Sequence, residues 1–162
     1  MVQEAMIQED LQYFIEYRAQ NLAMVHLTRR QDLIVQRLDD KQSDRGLKIL
    51  ATLQKDGIST GRMFGIDVQA RDKAIANFAD LPQLPTRETE PYYQNIPFPA
   101  CVFFFTMDDD LGYYKWLKYP LLEDRELDEL ERDRWHLLDR NALSQIVDAI
   151  ATWYDAKQHS IA

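Results

Sequence analysis

This sequence has few cysteines and histidines, the residues that form disulfides and bind zinc-type metals. The 162-residue chain contains one cysteine, so it can form no internal disulfide and has no CxxC motif. Cys101 lies in the apolar run 100–105, which favours a small core residue over a nucleophile. The three histidines, His26, His136 and His159, are far apart, and none forms the i, i+4 pair of a helical metal site. We therefore expect neither thiol chemistry nor a histidine-bound metal.

Basic charge and long apolar stretches are also scarce. The chain has 19 lysines and arginines against 27 acidic residues, a formal net charge of -8. An acidic surface repels phosphate backbones, and Arg29–Arg30 is the one adjacent basic pair. No run reaches the roughly 18 to 20 apolar residues of a membrane helix, and the N-terminus lacks the pattern of a signal peptide. The sequence predicts a cytoplasmic protein with no membrane partner.

The composition is otherwise that of an ordinary globular domain. Hydrophobic residues make up 46% of the chain and charged residues 28%. This length supports one domain with a core but is short for two, so we predict a single domain over residues 1–162. The sequence contains no phosphate-binding loop of the GxxxxGK[ST] or GxGxxG type and no GxSxG elbow. It therefore gives no support for nucleotide binding through such a loop or for a serine hydrolase.

Apolar residues recur at helical spacing near both ends of the chain. The N-terminal pattern predicts a core-facing helix over about Glu4–Asn21, and Ala23–Arg30 fits either its extension or a short strand. A closing amphipathic helix is predicted over Asn141–Ala156, with residues 157–162 as a frayed tail. The apolar positions of the first helix are Ile7, Leu11, Phe14, Ile15 and Leu22, with the stem of Arg18.

Five segments have the alternation or the short apolar run of a β-strand. Asp56-Gly57 predicts a hairpin between the second and third of them. The run Ala100–Thr106 is continuously apolar, which is typical of a central strand buried on both faces. The predicted strands are Asp32–Leu38, Leu47–Leu53, Arg62–Arg71, Ala100–Thr106 and Tyr113–Leu117.

The connections between these elements are polar or rich in proline. Asp39–Gly46 predicts a loop, and Asp72 can cap a helix over residues 73–81. Residues 91–99 predict an irregular loop, in which Tyr92-Tyr93 forms either a contact surface or an anchor on the core. The acidic segment 123–133 predicts a surface helix or loop. We therefore expect an α/β (α+β) fold in which helices flank a mixed central sheet of about five strands.

The third predicted strand has two chemically different faces. Alternation places Phe64, Ile66 and Val68 on an apolar side, and Asp67 and Gln69 on the other. The polar side also receives Arg71 at the end of the strand. Such a face is either an ordinary solvated surface or the position of a functional site.

The order of elements and three short motifs resemble the restriction-endonuclease-like PD-(D/E)XK superfamily, and within it a family of uncharacterised prokaryotic domains. Residues 44–48, Asp-Arg-Gly-Leu-Lys, stand where that family has Asp-x-Gly-x-Asp. Residues 68–71, Val-Gln-Ala-Arg, stand where its third strand ends in Glu/Gln-x-Lys. Residues 112–117, followed by Pro120, resemble its late strand, and the resemblance covers roughly Glu4–Leu122.

The resemblance implies a Mg²⁺-dependent nuclease site at these positions. In such a site, oxygen ligands on adjacent strands hold the metal and a lysine orients the attacking water. Asp44 and Asp67 would be the metal ligands here, with Gln69 and Arg71 at the Glu/Gln-x-Lys positions. This sequence instead has Lys48 at the family's second aspartate, and it has arginine at the catalytic lysine. A lysine cannot ligate a cation, and an arginine is a poor proton acceptor.

Two functions follow as hypotheses. The first is a nuclease-descended domain with a degenerate site, in which Lys48 and Arg71 pair with Asp67 where a metal would lie. It would be a non-catalytic interaction or regulatory module with no cofactor, and its partner would be another protein or a second copy. The alternative is an active or atypical Mg²⁺-dependent nuclease acting on DNA, with Asp44, Asp67 and Gln69 at the metal and Arg71 at the phosphate.

Overall fold

A mixed sheet of six strands organises the part of the chain that the computed structural model describes, residues 2–38, 46–84, 90–120 and 134–161. Three α-helices accompany the sheet in these ranges, which confirms the predicted α+β class. The helices are α1 (Val2–Thr28), α2 (Glu90–Asn95) and α3 (Arg140–Ile161). The strands are β1 (Leu33–Arg37), β2 (Leu47–Lys55), β3 (Ile58–Arg71), β4 (Ala100–Thr106), β5 (Leu111–Lys118) and β6 (His136–Leu137).

The strands lie in chain order, and one pair differs from the others. Neighbouring strands are antiparallel except for β3 and β4, which are parallel. Parallel strands cannot be joined by a tight turn, so the chain must return to the starting end of the sheet between them. The chain makes this return between β3 and β4, and we call its described residues, 72–84 and 90–99, the crossover.

Both faces of the sheet are covered. On the first face, α1 and α3 pack against strand residues that include Ile49, Phe64, Ile66, Phe103 and Phe105. On the second face, crossover residues pack on the sheet in two smaller clusters. In one, Leu81 lies against Val102, Phe104, Tyr113 and Trp135, and in the other, Tyr93 lies against Leu47 and Ala100. The polar side of β3 therefore faces a covered surface.

The central strands confirm the sequence prediction. All seven residues of β4 are buried, as expected for a central strand covered on both faces. β2 and β3 form the predicted hairpin at Asp56-Gly57, where both residues have positive φ, 53° and 78°. Positive φ at both central turn residues is the requirement of a type I′ hairpin turn.

The first helix differs from its prediction in length and in contacts. It continues through Ala23 to Thr28, so the ambiguous segment is helical up to that residue. The expected core stripe is wrong at Leu11 and Phe14, which are 55% and 64% exposed. The sheet is contacted instead through Ala19, Ala23 and Leu27, each 0% exposed. Small alanines bring the second half of the helix close to the sheet, while the side chains of Leu11 and Phe14 remain in solvent.

Three other predictions need correction, and one strand was not predicted. Residues 73–81 are not an α-helix: a capping box between Asn77 and Asp80 closes only the 3₁₀ turn Phe78–Asp80. The predicted irregular loop over residues 91–99 contains most of α2. β6 was not predicted, because two residues are too short to show alternation. Helix α3 includes most of the tail predicted over residues 157–162.

Two predicted segments lie outside the described residues: the loop over 39–45 and the acidic segment over 123–133. Among the described helices, none combines the length and the apolar character that crossing a membrane requires.

The close packing of α1 can be tested by enlarging one of its alanines. Ala23→Leu should lower the free energy of unfolding by about 1–3 kcal/mol, because the added carbons have no space against the sheet. Val25→Leu, at a position that is 47% exposed on the same helix, should change it by less than about 0.5 kcal/mol. If both substitutions changed the free energy of unfolding in urea by the same amount, α1 would not pack on the sheet through Ala23.

Candidate functional site

The most unusual residue on the second face of the sheet is Asp67 in β3. It is 5% exposed, and its backbone pairs with Leu47 in β2 and with Val102 in β4. Its carboxylate therefore extends from an apolar row of three central strands. A buried charge in such a position requires hydrogen-bonding partners or a shifted pKa.

Asp67 has a polar partner, Gln69, on the same strand. The Nε2 of Gln69 donates a hydrogen bond to Oδ2 of Asp67 at 2.9 Å. Alternation along a strand places residues two apart on one face, so this contact follows from the spacing seen in the sequence. It satisfies one carboxylate oxygen within the protein.

Tyr93 of α2 encloses the carboxylate from the crossover side. The Tyr93 side chain is buried, and its hydroxyl lies next to the backbone of Gly46, at the start of β2. A Cβ atom at Gly46 would overlap that hydroxyl and would lie 3.9 Å from Cγ of Asp67. Gly46 also has a φ of 137°, which L-residues with a side chain rarely adopt. Glycine is thus required here both for conformation and for space.

The electrostatics of Asp67 reflect this enclosure. Burial raises the pKa of its carboxyl from 3.8 to about 6, while the Gln69 hydrogen bond and the charge of Lys48 act in the opposite direction. The pKa of the Tyr93 hydroxyl is also raised, first by burial and then by the nearby Asp67 charge. Lys48 therefore lies within electrostatic reach of Asp67, as the degenerate-site hypothesis expects.

The side chain of Arg71 contacts the first residues of the crossover. Its Nε donates to the carbonyl oxygen of Lys73 at 2.7 Å, and its terminal nitrogen donates to that of Ala74 at 3.1 Å. The guanidinium thus holds the start of the crossover and does not contribute to the pKa shift of Asp67. Of the two cations in the degenerate-site hypothesis, Lys48 is the one whose charge lowers the pKa of Asp67.

The described residues do not fit a Mg²⁺ site by themselves. Asp44 lies in the undescribed segment 39–45, and no group of three or more potential metal ligands occurs in the described ranges. Magnesium keeps several waters as well as its protein oxygens. Asp67, at 5% exposure and with one oxygen bonded to Gln69, has little room for such a hydrated ion.

A second buried charge lies two strands away on the same face. Lys115 of β5 is 4% exposed and pairs with Val102, so Asp67, Val102 and Lys115 form one row across three strands. Its Nζ lies 5.9 Å from the centre of the Trp135 ring, beside a cavity of about 560 Å³ between the crossover and the sheet. Sequence reasoning missed this residue, since one lysine in an aromatic strand is normally exposed.

The contact between Tyr93 and Gly46 was also not predicted. The sequence offered Tyr93 only as a contact surface or an anchor, and Gly46 as the end of a loop and as the glycine of the motif over residues 44–48. Their proximity depends on the path of the crossover, which no local pattern in the sequence reports.

Comparisons of the chain with protein-family models, curated proteins and solved structures found no match.

The raised pKa of Asp67 predicts a specific pH dependence of stability. Between pH 3.8 and about 6 the carboxyl is protonated in the folded state but ionised in the unfolded state, so folding takes up a proton. Raising the pH through this window should remove about 3 kcal/mol of stability in the wild type, and Asp67→Asn should not show this loss. If the free energy of unfolding, measured in urea, changed with pH by the same amount in both proteins, Asp67 would not be a buried, ionisable group.

The fit of Gly46 under Tyr93 can be tested with a double-mutant cycle. Gly46→Ala should destabilise the fold by about 1–3 kcal/mol through strain and overlap. In a Tyr93→Phe background, which lacks the overlapping hydroxyl, the same substitution should have a smaller effect, by at least about 0.5 kcal/mol. Additive effects would show that the two residues do not touch.

Proposed function

We propose that this chain is a non-catalytic interaction module built on a nuclease-like sheet. The observation that carries this proposal is the enclosure of Asp67, whose carboxylate is 5% exposed and bonded to Gln69 beneath Tyr93. Metal-dependent hydrolysis needs an accessible carboxylate with metal-bound water beside it. The enclosed carboxylate of Asp67, hydrogen-bonded to its own strand, lacks that access.

The chemistry of the neighbouring cations supports the same proposal. Arg71 replaces the lysine of the family pattern, remains protonated, and is used on two backbone carbonyls. Lys48 replaces an aspartate, and its charge stabilises ionised Asp67. A lysine here supplies part of the positive charge that a divalent ion would supply in an active relative. The site would then have a structural function, and binding would occur elsewhere on the surface.

One observation favours the alternative, a Mg²⁺-dependent nuclease acting on DNA. Asp67, Gln69 and Lys48 converge where the chain enters β2, and Asp44 precedes Gly46 by two residues in the sequence. If Asp44 joined Asp67, two carboxylates would be available to a metal. The cofactor would be Mg²⁺ in that case, and the substrate would approach this end of the sheet.

Metal titration separates the two functions. Calorimetry of the wild type with Mg²⁺ and with Mn²⁺ should show no binding at millimolar concentration, because the Asp67 carboxylate is already enclosed. No cleavage of single- or double-stranded DNA should follow with either metal. Binding heat or cleavage that disappears in Asp67→Ala, and persists in the control Asp72→Ala, would establish the nuclease function instead.

A further inference from the structure

The first half of α1 carries an exposed aromatic surface. Tyr13 and Phe14 are both 64% exposed and Tyr17 is 50% exposed, with Leu11 at 55% beside them. The spacing of the three aromatic residues places them on one side of the helix, turned away from Ala19 and Ala23, which contact the sheet. We call Tyr13, Phe14 and Tyr17 the outer face of α1.

The rings of this outer face contact one another. The ring centroids of Tyr13 and Phe14 are 5.9 Å apart in an edge-to-face arrangement. The rings of Tyr13 and Tyr17 are stacked, with centroids 6.4 Å apart. The Arg37 guanidinium lies 5.5 Å from the Tyr17 centroid and also bonds to Asn21. These contacts hold the rings together in the free protein. Binding of a partner would therefore cost little side-chain entropy on this surface.

An exposed aromatic cluster of this kind is unusual for a surface helix. A helix that packs on one side normally has polar residues on its other side. Here α1 has apolar residues on both sides, and the described residues cover only the side that faces the sheet. Exposed apolar patches of this type mark interaction sites, and tyrosine and phenylalanine are enriched in protein interfaces.

Charge indicates which occupant this face would accept. The described side chains of α1 include two carboxylates, Asp10 and Glu16, and one arginine. Arg18 is engaged by both carboxylate oxygens of Asp110, at 2.8 and 3.0 Å. The whole chain has a formal net charge of -8. A basic partner would be attracted to this helix, whereas a second copy would bring the same carboxylates against each other.

We propose that the outer face of α1 binds a basic amphipathic helix of another protein. The apolar side of the partner helix packs on Tyr13, Phe14 and Tyr17, and its lysines or arginines flank the carboxylates of α1. This inference rests on the proposed function and names the partner of the module. The interaction does not use Asp67, Gln69 or Tyr93.

A designed peptide tests this inference on the full chain. The probe is a labelled helix with leucines at i, i+3, i+4 and i+7 and lysines elsewhere, and its twin has glutamates in place of the lysines. Fluorescence anisotropy should show binding of the lysine peptide and none of the glutamate twin. Tyr13→Ala combined with Phe14→Ala should weaken binding by about tenfold or more. Ile58→Ala, which removes a 72% exposed side chain from the hairpin, should leave it unchanged.

Four outcomes would overturn the inference. The first is unchanged binding in the Tyr13 and Phe14 variant, and the second is equal binding of the glutamate twin. The third is a dimer in sedimentation velocity that this variant dissociates, which would make a second copy the occupant. The fourth is binding of oligothymidylate that is lost in the variant, which would make single-stranded nucleic acid the occupant.

The same assay distinguishes this inference from the proposed function. Asp67→Ala should bind the lysine peptide as the wild type does, since Asp67 lies on the second face of the sheet. Failure of the peptide assay would leave the metal titration result unaffected. If Mg²⁺ or Mn²⁺ bound in a way that depended on Asp67, the proposed non-catalytic function would be wrong, but peptide binding at α1 would be unchanged. Thermal unfolding of each variant confirms that the protein remains folded.

Discussion

The parallel pairing of β3 and β4 is the constraint on which the rest of this structure depends. Every other neighbouring pair is antiparallel and can be closed locally, as the Asp56-Gly57 turn shows. Between β3 and β4 the chain must travel the length of the sheet, and the crossover does so across the second face. Leu81 and Tyr93 are packed on the sheet by this path. The polar side of β3, which could have remained in water, is covered as a result.

Covering that face determines the chemistry of Asp67. The carboxylate loses most of its water and its pKa rises to about 6, while Gln69, Lys48 and the backbone of Val68 stabilise its ionised form. The enclosure also brings Tyr93 onto the backbone of Gly46, so that a glycine is needed at the start of β2. Arg71, two residues beyond Gln69, fastens the first residues of the crossover. Sheet, crossover and polar pair are thus one connected arrangement, while the exposed aromatic face of α1 lies outside it.

Local pattern was sufficient to predict the elements that depend on nearest neighbours. The apolar run of β4, the hairpin after β2, and the side of β3 that holds Asp67 and Gln69 all follow from alternation and turn chemistry. Contacts made by the crossover were not predictable in this way, because the approach of Tyr93 to Gly46 joins segments distant in the chain. The predicted orientation of α1 was wrong for a related reason. Periodicity identified apolar positions such as Phe14, but it cannot tell which side of a helix packs on the sheet. The burial of Lys115 was also not predicted, because neighbours such as Trp135 are distant in the sequence.

We propose that Asp67 is an enclosed structural carboxyl that does not bind a metal. This can be tested by following the ¹³C chemical shift of its Cγ during a pH titration, with and without 10 mM Mg²⁺. Enclosure predicts an apparent pKa of about 6 that is the same in both titrations. A pKa near the ordinary value of 3.8, or one that falls when Mg²⁺ is added, would contradict it.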